Sequence, residues 1–188
     1  MKERKDKCMR VAAININGCQ DEIKRKELVN EFGKAELDVL GVSETHIKGQ
    51  GVWGSDSGED NEMWRNLKGG CVWAGRDEME RGRGKEGCAV LVSERVWKGV
   101  TESGNIGSRG VWIKGKVGLL KYAWVCVYAP VNGSTKKDID DMKIFWMEVN
   151  ACLESFENDR RIILMGDMNA RVGGQEIDKI VGKYGIDG

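Results

Sequence analysis

Proline occurs once in this chain, at Pro130, and histidine once, at His46. Neither sign of charge dominates, because thirty lysines and arginines balance thirty aspartates and glutamates. No global positive field therefore draws the chain to nucleic acid, which argues against non-specific DNA coating and leaves a local site open. No apolar run approaches the ~18 residues needed to span a bilayer, so no membrane partner is expected. The first ten residues, MKERKDKCMR, are charged with no apolar stretch behind them and do not read as a secretory signal. No internal repeat, heptad array or low-complexity tract is found. None of the six cysteines is spaced as a zinc knuckle or a CxxC redox pair. Cys88, Cys126 and Cys152 fall inside apolar patterns, where a thiol behaves as a small hydrophobe. Reduced core cysteines point to a soluble intracellular protein, nuclear or cytoplasmic.

What is present is globular. Of 188 residues, 40% are hydrophobic and 32% charged, enough for one domain with a real core. Residues 1–9 read as a charged tail and residues 10–188 as the domain.

Residues 10–16, RVAAINI, read as a first strand ending in the polar turn Asn17-Gly18. From Asp21 to Phe32 the pattern is helical, with Ile23, Leu28, Val29 and Phe32 on one side and Gly33 as the stop. A second buried strand runs from Asp38 to Ser43 with Glu44 at its tip. Residues 49–70, rich in glycine and charge, read as a long surface loop. Further strands are expected at Cys88–Ser93, Val111–Val117 and Ala123–Tyr128, with a weaker one at Cys71–Ala74. The clearest helix spans Lys137 to Glu157, where Met142, Phe145, Trp146, Val149, Cys152, Leu153 and Phe156 recur at steps of three and four. Ser134 or Thr135 caps it, and Asp138, Asp140 and Asp141 suit its positive end. Arg161–Met165 is the last strand. Strands alternating with covering helices give a layered α/β or α+β domain.

The last strand leads into GDMNARVG, which sets Asp167, Asn169 and Arg171 between glycines. A turn alone needs no such set; an anion or a metal would. The other strands end alike: Asn15 and Asn17, Glu44, and Tyr128 in VYAP. Four strands of one sheet bringing carboxylates, amides and a phenol to one edge would form a compact acidic pocket. Such hard oxygen donors suit Mg²⁺ or Mn²⁺, and asparagine and tyrosine beside the ion suit a phosphate group.

The segments ININGC, GVSETH, GCAVLVSE, VYAP and GDMNARVG, in this order, resemble the endonuclease/exonuclease/phosphatase superfamily. Within it, SETHIKG, RGKEGCAVLVSERVW and GDMNARVG are most similar to the craniofacial development protein 2-like group and the endonucleases of non-LTR retrotransposons. The resemblance implies the N-terminal part of a four-layer αββα sandwich of the deoxyribonuclease I-like type, a Mg²⁺ or Mn²⁺ cofactor and a DNA phosphodiester substrate. It implies that Asn15 positions the phosphate and the catalytic aspartate, and that Glu44 is the principal metal ligand. Asn17 stands near the metal where many relatives carry an aspartate, so weaker ion binding is expected. Tyr128 would contact the phosphate, Asp167 would orient or deprotonate the attacking water, and Asn169 would stabilise the developing charge. Asn132 and Arg171 are candidate substrate contacts.

The family closes its site with an S-D-H segment that these residues do not include. Impaired catalysis is therefore expected of the chain as it stands, along with an uncovered sheet face, since the second sheet is expected largely from the family's C-terminal half. His46 reads as a polar residue at a loop start. Trp53 and Trp64 are candidates for substrate contact, whereas Trp112, Trp124 and Trp146 fall in core patterns. Arg76, Arg81, Arg83 and Lys85 are interleaved with Asp77, Glu78, Glu80 and Glu86, as in a solvated loop. A phosphoinositide-type phosphatase and a non-catalytic retrotransposon-derived fragment remain the alternatives to a DNA endonuclease.

Overall fold

A computed structural model describes residues 8–56, 64, 66–77, 79, 86–131 and 133–170. Its elements are β1 (Val11–Asn15), α1 (Glu22–Lys34), β2 (Val39–Ser43), β3 (Gln50–Gly54), β4 (Gly69–Ala74) and β5 (Cys88–Ser93). They continue with α2 (Glu94–Trp97), β6 (Val100–Ile106), β7 (Gly110–Val117), β8 (Leu120–Tyr128), α3 (Lys136–Glu154) and β9 (Arg161–Asp167).

Two sheets form. One has the order β1-β2-β5-β4-β3, the other β6-β7-β8-β9. Neighbours are antiparallel except for β1 with β2 and β8 with β9, which are parallel. A parallel pair needs a long crossover, and each of these has a helix in it. The chain thus contains two strand–helix–strand units, β1-α1-β2 and β8-α3-β9, one per sheet.

Alternation along the strands sorts side chains into three buried layers. Leu40, Val42, Ala89 and Leu91 face α1, which covers them with Leu28, Val29 and Phe32. Val39, Val90 and Val92 face the other sheet and meet Val111, Ile113, Trp124, Cys126 and Met165. Ala123, Val125 and Val127 face outward to Phe145, Val149 and Phe156. The layer order is helix, sheet, sheet, helix. α3 is set by a capping box, in which the Thr135 hydroxyl accepts from the Asp138 N–H and the Asp138 carboxylate accepts from the Thr135 N–H.

Several sequence expectations are corrected. The strand tips come from two sheets, not one. The second sheet is built from residues 100–167, and each sheet buries the inner face of the other. Among the described residues, the outer face left open is the groove beside α3, where Ile162 and Leu164 of β9 are exposed. The 49–70 stretch is not all loop: it holds β3 and the start of β4, and buries Trp53, Trp64 and Leu67. β6 and α2 lay in no expected element. Gly33 does not stop α1, which runs on to Lys34 with Ala35 as cap, and Ile23 points to solvent. Trp112 and Trp146 are half-buried and Trp124 is fully buried. No described helix is long and apolar enough to cross a membrane.

Candidate active site

β9 ends at Gly166 and Asp167. Gly166 adopts φ 120°, and a Cβ there would overlap the Val127 carbonyl oxygen of β8. Only glycine lets the two strands approach this closely. Their register then sets Tyr128 beside Asp167, and the Ala129 N–H donates to the Asp167 carbonyl at 2.9 Å.

Both Asp167 carboxylate oxygens are engaged. Asn15 Nδ2 donates to Oδ2 at 2.8 Å, from the other sheet. The Asn169 N–H donates to Oδ1 at 2.9 Å, and Asn169 Nδ2 donates to the Ala129 carbonyl at 2.6 Å. Asn15 is itself oriented, since its Oδ1 accepts from the Asn17 N–H at 3.1 Å. The turn after β1 is tied to the tip of β2, with the Gly18 N–H donating to the Glu44 carbonyl at 2.7 Å and the Cys19 N–H to that of Thr45 at 2.8 Å.

Of the five non-glycine residues with positive φ among the described residues, four lie here: Asn17, Glu44, His46 and Asn169. Such backbone is uncommon outside glycine and costs of order 1–3 kcal/mol each, and it concentrates where a fold holds side chains for chemistry.

The Tyr128 hydroxyl lies close to the Asn169 side chain. Burial, then the Glu44 carboxylate, raise its pKa above the ordinary tyrosine value, with Asp167 adding to the rise. The Asn169 amide and the Arg109 charge oppose it. The phenol therefore stays protonated and able to donate. Because the folded chain holds this proton more tightly than the unfolded one, stability is expected to fall as pH climbs from about 10 toward the folded value. An ultraviolet titration of the native chain against Tyr128→Phe checks this; a phenol ionising at or below the ordinary value would contradict it.

Three participants were not found by sequence reasoning. The Arg109 guanidinium lies 5.4 Å from the centre of the Tyr128 ring and donates to the Tyr128 carbonyl at 3.3 Å. Glu86 is not a solvated loop residue: its carboxylate pairs with Arg109 at 2.7 Å and accepts from the Ser108 hydroxyl at 2.5 Å. Its carbonyl accepts from the His46 N–H at 3.0 Å, linking the Glu44 turn to the tyrosine. His46 is mostly buried, with Nε2 3.6 Å from Glu44 Oε1. No local pattern marks Arg109 or Glu86; His46 carried the signal of being the lone histidine, two residues past Glu44.

The structure thus gathers Asn15, Asn17, Glu44, Tyr128, Asp167 and Asn169. Asn132 and Arg171 lie outside the described residues, as do Arg81, Arg83 and Lys85. Trp53 and Trp64 are buried and offer no substrate contact. Among the described residues no three histidine, cysteine, aspartate or glutamate side chains converge. The donors present, a carboxylate with amides, still fit an ion that binds one or two carboxylates and keeps several waters.

The sequence pattern of the Endonuclease/Exonuclease/phosphatase family matches residues 12–185. The chain is 24% identical over 156 residues to craniofacial development protein 2 of Bos taurus, covering 83% of this chain and 23% of that protein. The same protein of Tragulus javanicus gives 24% identity, covering 83% of this chain and 24% of that protein. The chain therefore spans about a quarter of the length of these curated relatives. Among solved structures it is similar to an AP endonuclease from Archaeoglobus fulgidus, with TM-score 0.62 and 12% identity over 87% of this chain and 58% of that one. A 3' phosphatase from Neisseria bound to a product DNA hairpin gives TM-score 0.59 and 15% identity, covering 86% of this chain and 58% of that one. These likenesses show a shared fold.

Proposed function

The chain belongs to the endonuclease/exonuclease/phosphatase family, and on that premise we propose that it is a divalent-metal-dependent phosphodiesterase of endonuclease type acting on DNA, akin to the retrotransposon enzymes. The observation that carries this reading is the Asn15–Asp167 hydrogen bond, which joins the tips of two sheets beside Glu44, Tyr128 and Asn169. A nuclease needs a carboxylate aimed at a water, donors for phosphate oxygens and an acid for the ion. Those are the groups that meet here.

In this reading Asp167, held at both oxygens, orients the attacking water and takes its proton. Asn15 keeps the carboxylate aimed and contacts the scissile phosphate. Tyr128 donates its hydroxyl hydrogen to a non-bridging phosphate oxygen, and Asn169 offers its amide to the charge that develops on the phosphorus oxygens. Glu44 and Asn17 would hold Mg²⁺ or Mn²⁺; when bound, such an ion supplies Lewis-acid polarisation of the phosphoryl group. Asn17 contributes a neutral amide, so weak ion binding and reduced activity belong to the proposal. The DNA substrate is supported by the Neisseria relative's bound DNA hairpin.

The test is nicking of supercoiled plasmid, run beside phosphate release from an inositol polyphosphate. Nicking in Mg²⁺ that EDTA abolishes and fresh Mg²⁺ or Mn²⁺ restores is expected. EDTA-resistant nicking would rule out the metal role, and phosphate release without nicking would replace DNA with a small phosphoester.

A further inference from the structure

We propose that His46 is itself a ligand of the ion at Glu44, through Nε2, and that the site therefore takes a first-row transition ion such as Mn²⁺ in preference to Mg²⁺. The inference rests on the metal-site reading above and adds to it a residue and an ion preference.

The first observation is an unsatisfied atom. His46 Nε2 is shielded from solvent and has no hydrogen-bond partner. Native structures keep few such groups, and each costs about 1–3 kcal/mol. A bound ion would satisfy this one. Glu44 Oε1 is 3.6 Å away, within ion-pair range yet not hydrogen-bonded. Two donors on adjacent corners of an octahedral ion, with bonds of about 2.1 Å, lie about 3 Å apart, so a small rotation of either side chain closes the pair on one ion.

The second observation is how the ring is held. His46 has φ 57° and Glu44 φ 56°, two left-handed residues flanking Thr45. The His46 N–H donates to the Glu86 carbonyl at 3.0 Å, and the His46 carbonyl accepts from Gln20 Nε2 at 2.5 Å. On its other edge the ring packs on Gly18, where a Cβ would come within 2.8 Å of Nδ1. Backbone strain, two clamping hydrogen bonds and a glycine cradle hold Nε2 toward the carboxylate. A loop-start histidine with no task would turn to water.

The chemistry of the donor set gives the ion. Mg²⁺ is served by oxygen alone, whereas imidazole nitrogen is a ligand of first-row transition ions, among which Mn²⁺ also accepts the carboxylate and amide oxygens of this site. A neutral amide at Asn17 and a nitrogen at His46 both move the site away from a purely anionic oxygen cage.

The chain offers a clean experiment because His46 is its single histidine. The untagged full chain is loaded with Mn²⁺ and examined by electron spin-echo envelope modulation. Imidazole ¹⁴N modulation is expected in the wild type, and it can come from one residue alone. His46→Gln, with folding verified by circular dichroism, is expected to lose the modulation and bind Mn²⁺ at least about tenfold more weakly. Mg²⁺ should compete for the ion better in that variant than in the wild type. Bound Mn²⁺ without nitrogen coupling in the wild type would overturn the role of His46 and leave the Glu44 site standing. Failure of the wild type to bind Mn²⁺ at all would overturn both.

Discussion

Replacing Asp167 with alanine is expected to lower the turnover of plasmid nicking by about 10³-fold or more while the chain stays folded. General-base action and water orientation contribute about 10²–10⁴-fold in well-placed sites, and Asp167 is placed by two independent donors. Its backbone stays in the β8–β9 ladder whatever the side chain, so the loss should fall on turnover rather than stability. Asp167→Asn keeps the side chain's shape and one acceptor, for Asn15, but gives up the bond from the Asn169 N–H and cannot take a proton. Both variants should fall together if proton transfer is the main role. Asn retaining most of the activity would mean that Asp167 acts by holding Asn15 in place. Full activity in the alanine variant would remove Asp167 from the mechanism.

Gly166→Ala should produce a large loss of stability. The added Cβ would overlap the Val127 carbonyl, a backbone group that cannot swing aside, at a φ of 120° that other residues rarely adopt. Strained backbone and overpacking together cost roughly 2–4 kcal/mol, or about 5–15 °C in melting temperature for a chain of this size. Gly33→Ala is the control: a Cβ there meets nothing within 4 Å inside α1, so a gain of about 0.5–1 kcal/mol is expected. Thermal melts compare the two. Equal behaviour would show that the β8–β9 approach is not held as tightly as its geometry indicates.

Gly166 also shows where sequence reasoning succeeds and where it stops. Apolar runs such as VLGVS and IILM announce strands by themselves, and the polar residue shortly after each marks the tip, so Glu44 and Asp167 were legible. Which sheet a strand joins is decided by distant partners, and for that reason the tips were assigned to one sheet instead of two. β3 was missed because QGVWG carries glycines that weaken its local preference. Those glycines make room: a Cβ on Gly51 would overlap the Trp73 ring, and one on Gly54 the Trp97 ring. β6, VTESGNI, is a largely polar edge strand, so alternation is too faint to read. Arg109 and Glu86 acquire meaning through a pairing of side chains 23 positions apart, and a single sequence does not disclose that.

The bond between Asn15 and Asp167 spans 152 residues. Nearly the whole described chain must therefore exist before the site does. At translation rates of about 5–20 residues per second, Asn15 waits about 8 to 30 s for its partner to be made. The β1-α1-β2 unit can pair in that interval, holding Glu44 ready with no carboxylate opposite. A nascent chain therefore carries the Glu44 half of this cluster without the Asp167 half until β9 has been made and docks.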